Sequence, residues 1–117
     1  ERAGQWVKGK SFPTYNPMGP VIVTGDEFEP DDVRVYCTID GEKRQDSRTS
    51  DLIYGISHIV WYVSQFMVLE PGDLINTGTP AGVGNGYKPP RFLRPGQEIA
   101  LGIDGLGQQR VRTIATP

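Results

Sequence analysis

Between Val33 and Ile39 the chain alternates Val33, Val35, Cys37 and Ile39 with Arg34, Tyr36 and Thr38, the period-two pattern of a strand with one face buried. Asp40-Gly41 comes next. A type I′ hairpin turn needs positive φ at both central residues, which Asp-Gly tolerates, so residues 42–46 are predicted to be the return strand. The period then changes. Leu52, Ile53, Ile56, Ile59, Val60, Val63, Phe66 and Met67 recur at steps of three and four behind Thr49, Ser50 and Asp51, whose side-chain oxygens suit an N-cap. This predicts one long amphipathic helix, ended by Glu70-Pro71-Gly72-Asp73. Its other face carries Tyr54, His58, Trp61, Tyr62 and Gln65, and aromatic rings of that size are ordinarily covered. The helix is therefore expected to pack on two sides, with a further portion of protein or another subunit as the second partner. Residues 21–24 and 74–77 predict short strands. Glu98–Ile103 and residues 109–114, around a turn at 104–107, predict a second hairpin.

Several short strands, two hairpins and one helix argue for the α+β class with a mixed or antiparallel sheet. Glycine and proline, 15 and 10 of 117 residues, are about twice their usual share and come in bursts, which punctuate short strands and shaped loops. Residues 1–20 read as loop, and residues 26–32 as a solvated acidic turn. Residues 78–96 read as an ordered loop anchored by Val83, Tyr87, Phe92 and Leu93, because so long a connection is either functional or disordered.

The length allows one domain. With 37% apolar and 22% charged residues, the composition is that of an ordinary soluble protein. No apolar run reaches the roughly 20 residues of a membrane span, and a net charge of -2 without a basic field excludes nucleic acid as a partner. Cys37 is the one cysteine, which points to a reducing compartment such as the cytoplasm. The chain starts at Glu1 with neither an initiator Met nor a signal-peptide pattern, so it is expected to be incomplete without an N-terminal portion.

Chemistry has few candidates. Thr77-Gly78-Thr79-Pro80-Ala81-Gly82 sets two hydroxyls beside glycines, leaving backbone N–H groups for an anion or a developing oxyanion; the same residues also suit a plain tight turn. Lys8-Gly9-Lys10-Ser11-Phe12 holds two lysines in a loop, where a compact ammonium is able to stabilise an enolate or orient a water, although most loop lysines are simply solvated. The Gly-Lys-Ser triplet lacks the upstream glycine of a phosphate-binding loop, so nucleotide binding is rejected. His58, mid-helix among aromatics, reads as structural. Asp46, Asp51, Glu70 and Asp73 form no ligand-spaced pair, and no metal site is expected from this chain alone. A Gly-x-Ser-x-Gly elbow and a Cys–His pairing are both missing, so covalent nucleophilic catalysis has no candidate.

Taken in order, Lys8 to Phe12, Pro17-Met18-Gly19-Pro20, Gln45-Asp46, Thr49-Ser50-Asp51, Glu70-Pro71-Gly72-Asp73, Thr77 to Gly84, Lys88-Pro89-Pro90-Arg91-Phe92-Leu93 and Pro95-Gly96 closely resemble the fumarylacetoacetate hydrolase family. The Lys88 to Leu93 stretch looks most like bacterial members acting on acylpyruvates or diketo-deoxy sugar acids. The resemblance implies that residues 1–117 are the C-terminal part of a single catalytic domain, a β-roll of mixed strands that is usually dimeric. It also implies Mg²⁺ or Mn²⁺ held by three carboxylates, which in relatives precede the segment matching Glu1 to Lys10. The metal ligands are therefore expected upstream or on a companion chain.

Matched position by position, Lys10 is the catalytic lysine near the substrate. Thr79, with Gly78, meets the substrate, and Thr14 falls near the metal's water shell, although Pro13 stands where some relatives have glycine or aspartate. Arg2 and Gln5 are not matched to the family's substrate-contacting arginine and glutamine. Ala100 stands where the animal enzyme has a glutamate paired with histidine, so that dyad is not expected. The implied activity is hydrolysis of a carbon–carbon bond in a small diketo acid or acylpyruvate, giving a pyruvate-type acid and a carboxylic acid. Decarboxylase, tautomerase or hydratase chemistry, or a non-catalytic partner subunit, are the alternatives.

Overall fold

In the computed structural model, which describes residues 4–115, the alternating segment becomes strand β1, Arg34–Ile39, and returns as β2, Glu42–Arg48. Asp40 and Gly41 between them have φ of 51° and 80°, as a two-residue I′ turn demands. The second hairpin joins β3, Glu98–Ile103, to β4, Gly107–Arg112. β1 also pairs with β3, giving a four-stranded sheet of order β2-β1-β3-β4. Every described pairing is antiparallel. The α+β expectation holds, but the described sheet is not mixed: its hairpins need only short turns, whereas a parallel pair needs a crossover of a dozen or more residues.

Pairing places Val35 opposite both Ser47 and Ile103, and Cys37 opposite both Gln45 and Leu101, so these residues share one face of the pleat. On the opposite face Tyr36 lies across Gly102, where any side chain at Gly102 would meet the ring. Arg34 lies 4.9 Å from the centroid of that ring and donates to both carboxylate oxygens of Asp46, at 2.6 and 3.0 Å. Ala100 and Gly102, in the middle of β3, are the buried positions among the described residues. In β2 the register slips between Cys37 and Thr38, whose partners are Gln45 and Lys43. Arg44 is thus the extra residue of a β-bulge, a device that bends a strand and re-aims its side chains.

The helical part departs from expectation. A single turn, α1, spans Val7–Lys10 within the segment read as loop. The predicted long helix is only α2, Ile56–Ser64. Its proposed caps are engaged elsewhere: the Thr49 hydroxyl accepts from the Val33 N–H at 2.9 Å, and Asp51 accepts from the Arg48 N–H and the Ser47 hydroxyl. Thr49–Asp51 form a 3₁₀ turn, Leu52 leaves it extended, and Gly55 stands at the N-cap of α2 with φ −62° and ψ 161°. At the other end, bonds from Gln65 N–H to Tyr62 and from Phe66 N–H to Val63 tighten the last turn, and the apolar residues beyond are not helical.

Residues 21–24 and 74–77 pair with no strand among the described residues. Their apolar character indicated burial but could not supply a ladder partner. In the 78–96 loop Tyr87 is held between Arg44 and Arg91, 5.4 and 5.1 Å from its ring centroid. Val83, Phe92 and Leu93, expected to anchor that loop, are exposed.

The extensive packing is of strand on strand. The chain exposes 9750 Å², whereas a compact protein of 12.9 kDa exposes roughly 6,300 Å². Its radius of gyration is 15.6 Å, against about 13.4 Å for a compact chain of this length. Much of the excess is apolar. Trp61 is 57% and Tyr62 54% exposed, so the covering expected on the aromatic side of α2 is not supplied by the described residues.

Candidate functional site

The apolar face of the sheet does not meet α2 directly. Between them lies an open cleft of about 970 Å³, walled by Val35, Cys37, Leu101 and Ile103 from the sheet, Ile59 from α2 and the loop at 76–81. That is the size and largely apolar character of a small-molecule site. Polar groups enter from two directions, among them Gln45, Ser47, Arg48 and Asp51 from β2 and the turn after it, and Asn76, Thr77 and Thr79 from the loop.

The loop is fixed to β2 at two points. Gln45 Nε2 donates to Thr79 Oγ1 at 2.7 Å and to the Pro80 carbonyl at 2.8 Å. Three residues on, a Cβ at Gly82 would strike the carbonyl of the bulge residue Arg44, so the backbones touch where only glycine fits. Gly78 has φ of +116° and Gly82 of +110°, a region closed to side-chain-bearing residues. The Thr-Gly-Thr-Pro run is thus a shaped turn pinned to the sheet, with the Thr79 side chain still exposed.

Tyr36, Cys37, Arg48, Asp51 and Tyr54 are the titratable residues of the lining, and Asp51 and Cys37 bear most on its chemistry. The Ser47 hydroxyl, and then the Arg48 N–H, hold the Asp51 carboxyl below the ordinary carboxylate range, so it stays anionic at neutral pH. Burial pushes the Cys37 thiol up, which keeps it protonated and a poor nucleophile.

The residues singled out from the sequence are not all brought together. Gly78 and Thr79 line the large cleft. Lys10 instead lines a separate hollow of about 320 Å³ with Gln5 and Trp6, its Nζ 5.4 Å from the Trp6 ring centroid. Thr14 is exposed and has φ of 70°, uncommon for a β-branched residue and costly unless its surroundings impose it. Arg2 lies outside the described residues. His58 stacks on Tyr54, ring centroids 4.7 Å apart, and is itself not part of the cleft lining, although Tyr54 is. No cluster of three or more His, Cys, Asp or Glu able to hold a metal occurs among the described residues. The residue that sequence reasoning passed over is Gln45, whose partner is 34 positions away.

A hairpin sheet thus pins a glycine-shaped hydroxyl loop beside an open cleft of small-molecule size. Residues 1–114 match the family described as fumarylacetoacetate (FAA) hydrolase C-terminal; the chain belongs to the fumarylacetoacetate hydrolase family.

A Burkholderia ambifaria protein provisionally named a hydrolase is 50% identical over 111 residues, 93% of this chain and 39% of its own length. The solved fumarylacetoacetate hydrolase of psychrophilic Exiguobacterium antarcticum superposes with a TM-score of 0.89 at 45% identity, over 93% of this chain and 39% of that one. A solved 5-carboxymethyl-2-hydroxymuconate delta-isomerase of Mycobacterium smegmatis does so with a TM-score of 0.86 at 36% identity, over 98% and 42%. The chain therefore spans about two fifths of the length of these relatives. Among the described residues no helix is long and apolar enough to cross a membrane.

Proposed function

We propose that this chain forms one wall of the substrate cleft of an enzyme that hydrolyses a carbon–carbon bond in a small diketo acid or acylpyruvate. The observation that carries this reading is the exposed Thr79 hydroxyl, held beside Gly78 on an open cleft of about 970 Å³, in a chain of this family. In the reaction, the oxygen of water bonds to the distal carbonyl carbon. The carbon–carbon bond then breaks with its electron pair going to the enolate of the pyruvate portion, and protonation of that carbon completes pyruvate beside a carboxylic acid.

Thr79 and the Gly78 backbone orient a substrate oxygen in this scheme, and preorganised donors of that kind are worth a few kcal/mol each where charge develops. Lys10, which lines the separate hollow in this chain, is assigned the part implied by the resemblance, neutralising enolate charge with its ammonium once further polypeptide brings its segment to the cleft. The apolar walls Val35, Leu101 and Ile103 keep bulk water from the reacting atoms.

A divalent cation, Mg²⁺ or Mn²⁺, belongs to the proposal with ligands outside the described residues, which lack a donor set for it; Thr14 would stand near its water shell. The exposed apolar side of α2 and the 9750 Å² surface support association with more polypeptide, in a homodimer or with a companion chain. The half-buried free Cys37 suits a reducing compartment such as the cytoplasm.

The test is pyruvate release from an acylpyruvate by the protein carrying this segment, with any companion chain that copurifies. Release that stops on chelation, and falls about a hundredfold in Lys10→Ala with the fold intact, is the expected result. Undiminished release after exhaustive chelation would overturn the metal part, and near-normal turnover in Lys10→Ala would overturn the role of that lysine. Likeness to the delta-isomerase favours a second reading, tautomerisation of a related acid in the same cleft. It predicts a product of unchanged mass in place of pyruvate.

A further inference from the structure

We infer that Gln45 is a positioning residue that fixes the Thr79 hydroxyl as a hydrogen-bond donor toward a substrate oxygen. This rests on the reading that Thr79 meets the substrate. The Pro80 carbonyl is able only to accept. An amide end 2.8 Å from it must therefore be the NH₂ of Gln45, and the usual ambiguity between amide oxygen and nitrogen does not arise.

One of the two amide hydrogens goes to Pro80. The other points to Thr79 Oγ1 at 2.7 Å, so Thr79 is obliged to accept from Gln45. A threonine hydroxyl has a single proton, and that proton is thereby released from its nearest neighbour. On an exposed side chain bordering the cleft, it favours a carbonyl or carboxylate oxygen over an ammonium.

The support behind Gln45 is rigid. Gln45 pairs with Cys37 in the centre of the β1–β2 ladder, and its neighbour Arg44 is the bulge residue whose carbonyl abuts Gly82. The loop is thus held at Thr79 and Pro80, and again at Gly82, by consecutive residues of one strand. A site mounted on a strand holds its geometry better than one carried by loops alone.

The test is a double-mutant cycle in the full enzyme, read as KM and kcat on an acylpyruvate, with thermal melting as the check on folding. Thr79→Val is expected to raise KM about tenfold. Gln45→Met, which keeps the length of the side chain and removes its donors, is expected to raise KM several-fold, and to add almost nothing when Thr79 is already valine. Gln45→Glu should be worse than Gln45→Met, because a carboxylate takes the Thr79 proton for itself and faces the Pro80 carbonyl as a second acceptor. Should Gln45→Met fail to fold, the near-isosteric Gln45→Glu completes the same cycle.

Full additivity in the double variant, or an unaffected KM in both Gln45 variants while Thr79→Val is impaired, overturns the inference and leaves the proposed function standing. An unaffected KM in Thr79→Val itself removes the reading of Thr79 as a substrate contact, and the role of Gln45 with it.

Discussion

The two hairpins and the stretch from α2 to the 76–82 loop belong to one chain but are built on different terms. In the hairpins each strand finds its partner within the sheet, and the ends are tied by local groups. Asp40 accepts from the Glu98 N–H and from Gln97 at 2.9 and 2.8 Å, joining the first turn to the start of β3. In the second region α2 presents Trp61 and Tyr62 to solvent, with Phe66 exposed just beyond it, and residues 74–77 have no ladder partner among those described. Strand pairing satisfies backbone groups as it forms, so each hairpin is specified by nearby residues, and β1 and β3 then join the two across the sheet. The helix and the segment after it carry apolar surface whose reward comes only on contact with something else. The candidate site lies on the seam. Its loop comes from the dependent region, and its fastening, Gln45 and the Arg44 bulge, comes from the independent one.

The sharpest way to break that comparison is at Gly82. A Cβ there would meet the Arg44 carbonyl, and φ of +110° disfavours any side chain. Gly82→Ala is expected to cost about 3 kcal/mol, read from the urea midpoint, since strain and a backbone clash act together. KM should rise as well, because the loop can relieve the clash only by lifting Thr79 away from Gln45. An alanine accepted with unchanged stability would mean that the loop is not fastened to β2 and that the seam is no part of the site.

Thr49 gives a smaller effect but a cleaner distinction. By sequence it is an N-cap of the helix; in the structure its hydroxyl receives the Val33 N–H at 2.9 Å and secures the entry to β1. Thr49→Val keeps the shape and leaves that half-buried N–H without its partner, an expected loss of about 1 kcal/mol in denaturant unfolding. Far-UV circular dichroism should show the same helix content. A loss of helical signal would restore the capping role and shift Thr49 from the self-sufficient region to the dependent one.

What was legible in the sequence follows the same division. The alternation from Val33 to Ile39, the Asp-Gly turn and the second hairpin could be read because strand, turn and return strand lie within a few residues of one another. The helix was drawn too long because an apolar period reports which side would be buried if the segment were helical. It does not report that Thr49 and Asp51 are already engaged by Val33, Ser47 and Arg48. Residues 74–77 read as a strand on local character alone, which leaves the pairing partner undetermined. Thr79 and Gly78 were found through the motif that contains them. Gln45 was missed because its importance lies in a hydrogen bond to a residue 34 positions away, and no local period encodes such a contact.

The smallest expected effect concerns the ions on the outer face of the first hairpin. Arg34, with help from Lys43, holds the Asp46 carboxyl at about 2, down from 3.8. A folded-state value below the unfolded one means that the pair stabilises the hairpin in full above about pH 4 and loses its contribution as the pH falls through about 2. Because Arg34 and Lys43 remain solvent-exposed, the contribution is modest and shrinks in salt. Following unfolding from pH 5 to pH 2 at low ionic strength should show wild type losing stability more steeply than Asp46→Asn, with the two curves converging in 1 M salt. Parallel curves would show that Asp46 adds nothing beyond the backbone ladder, and the independence of the hairpins would then rest on their strand pairing alone.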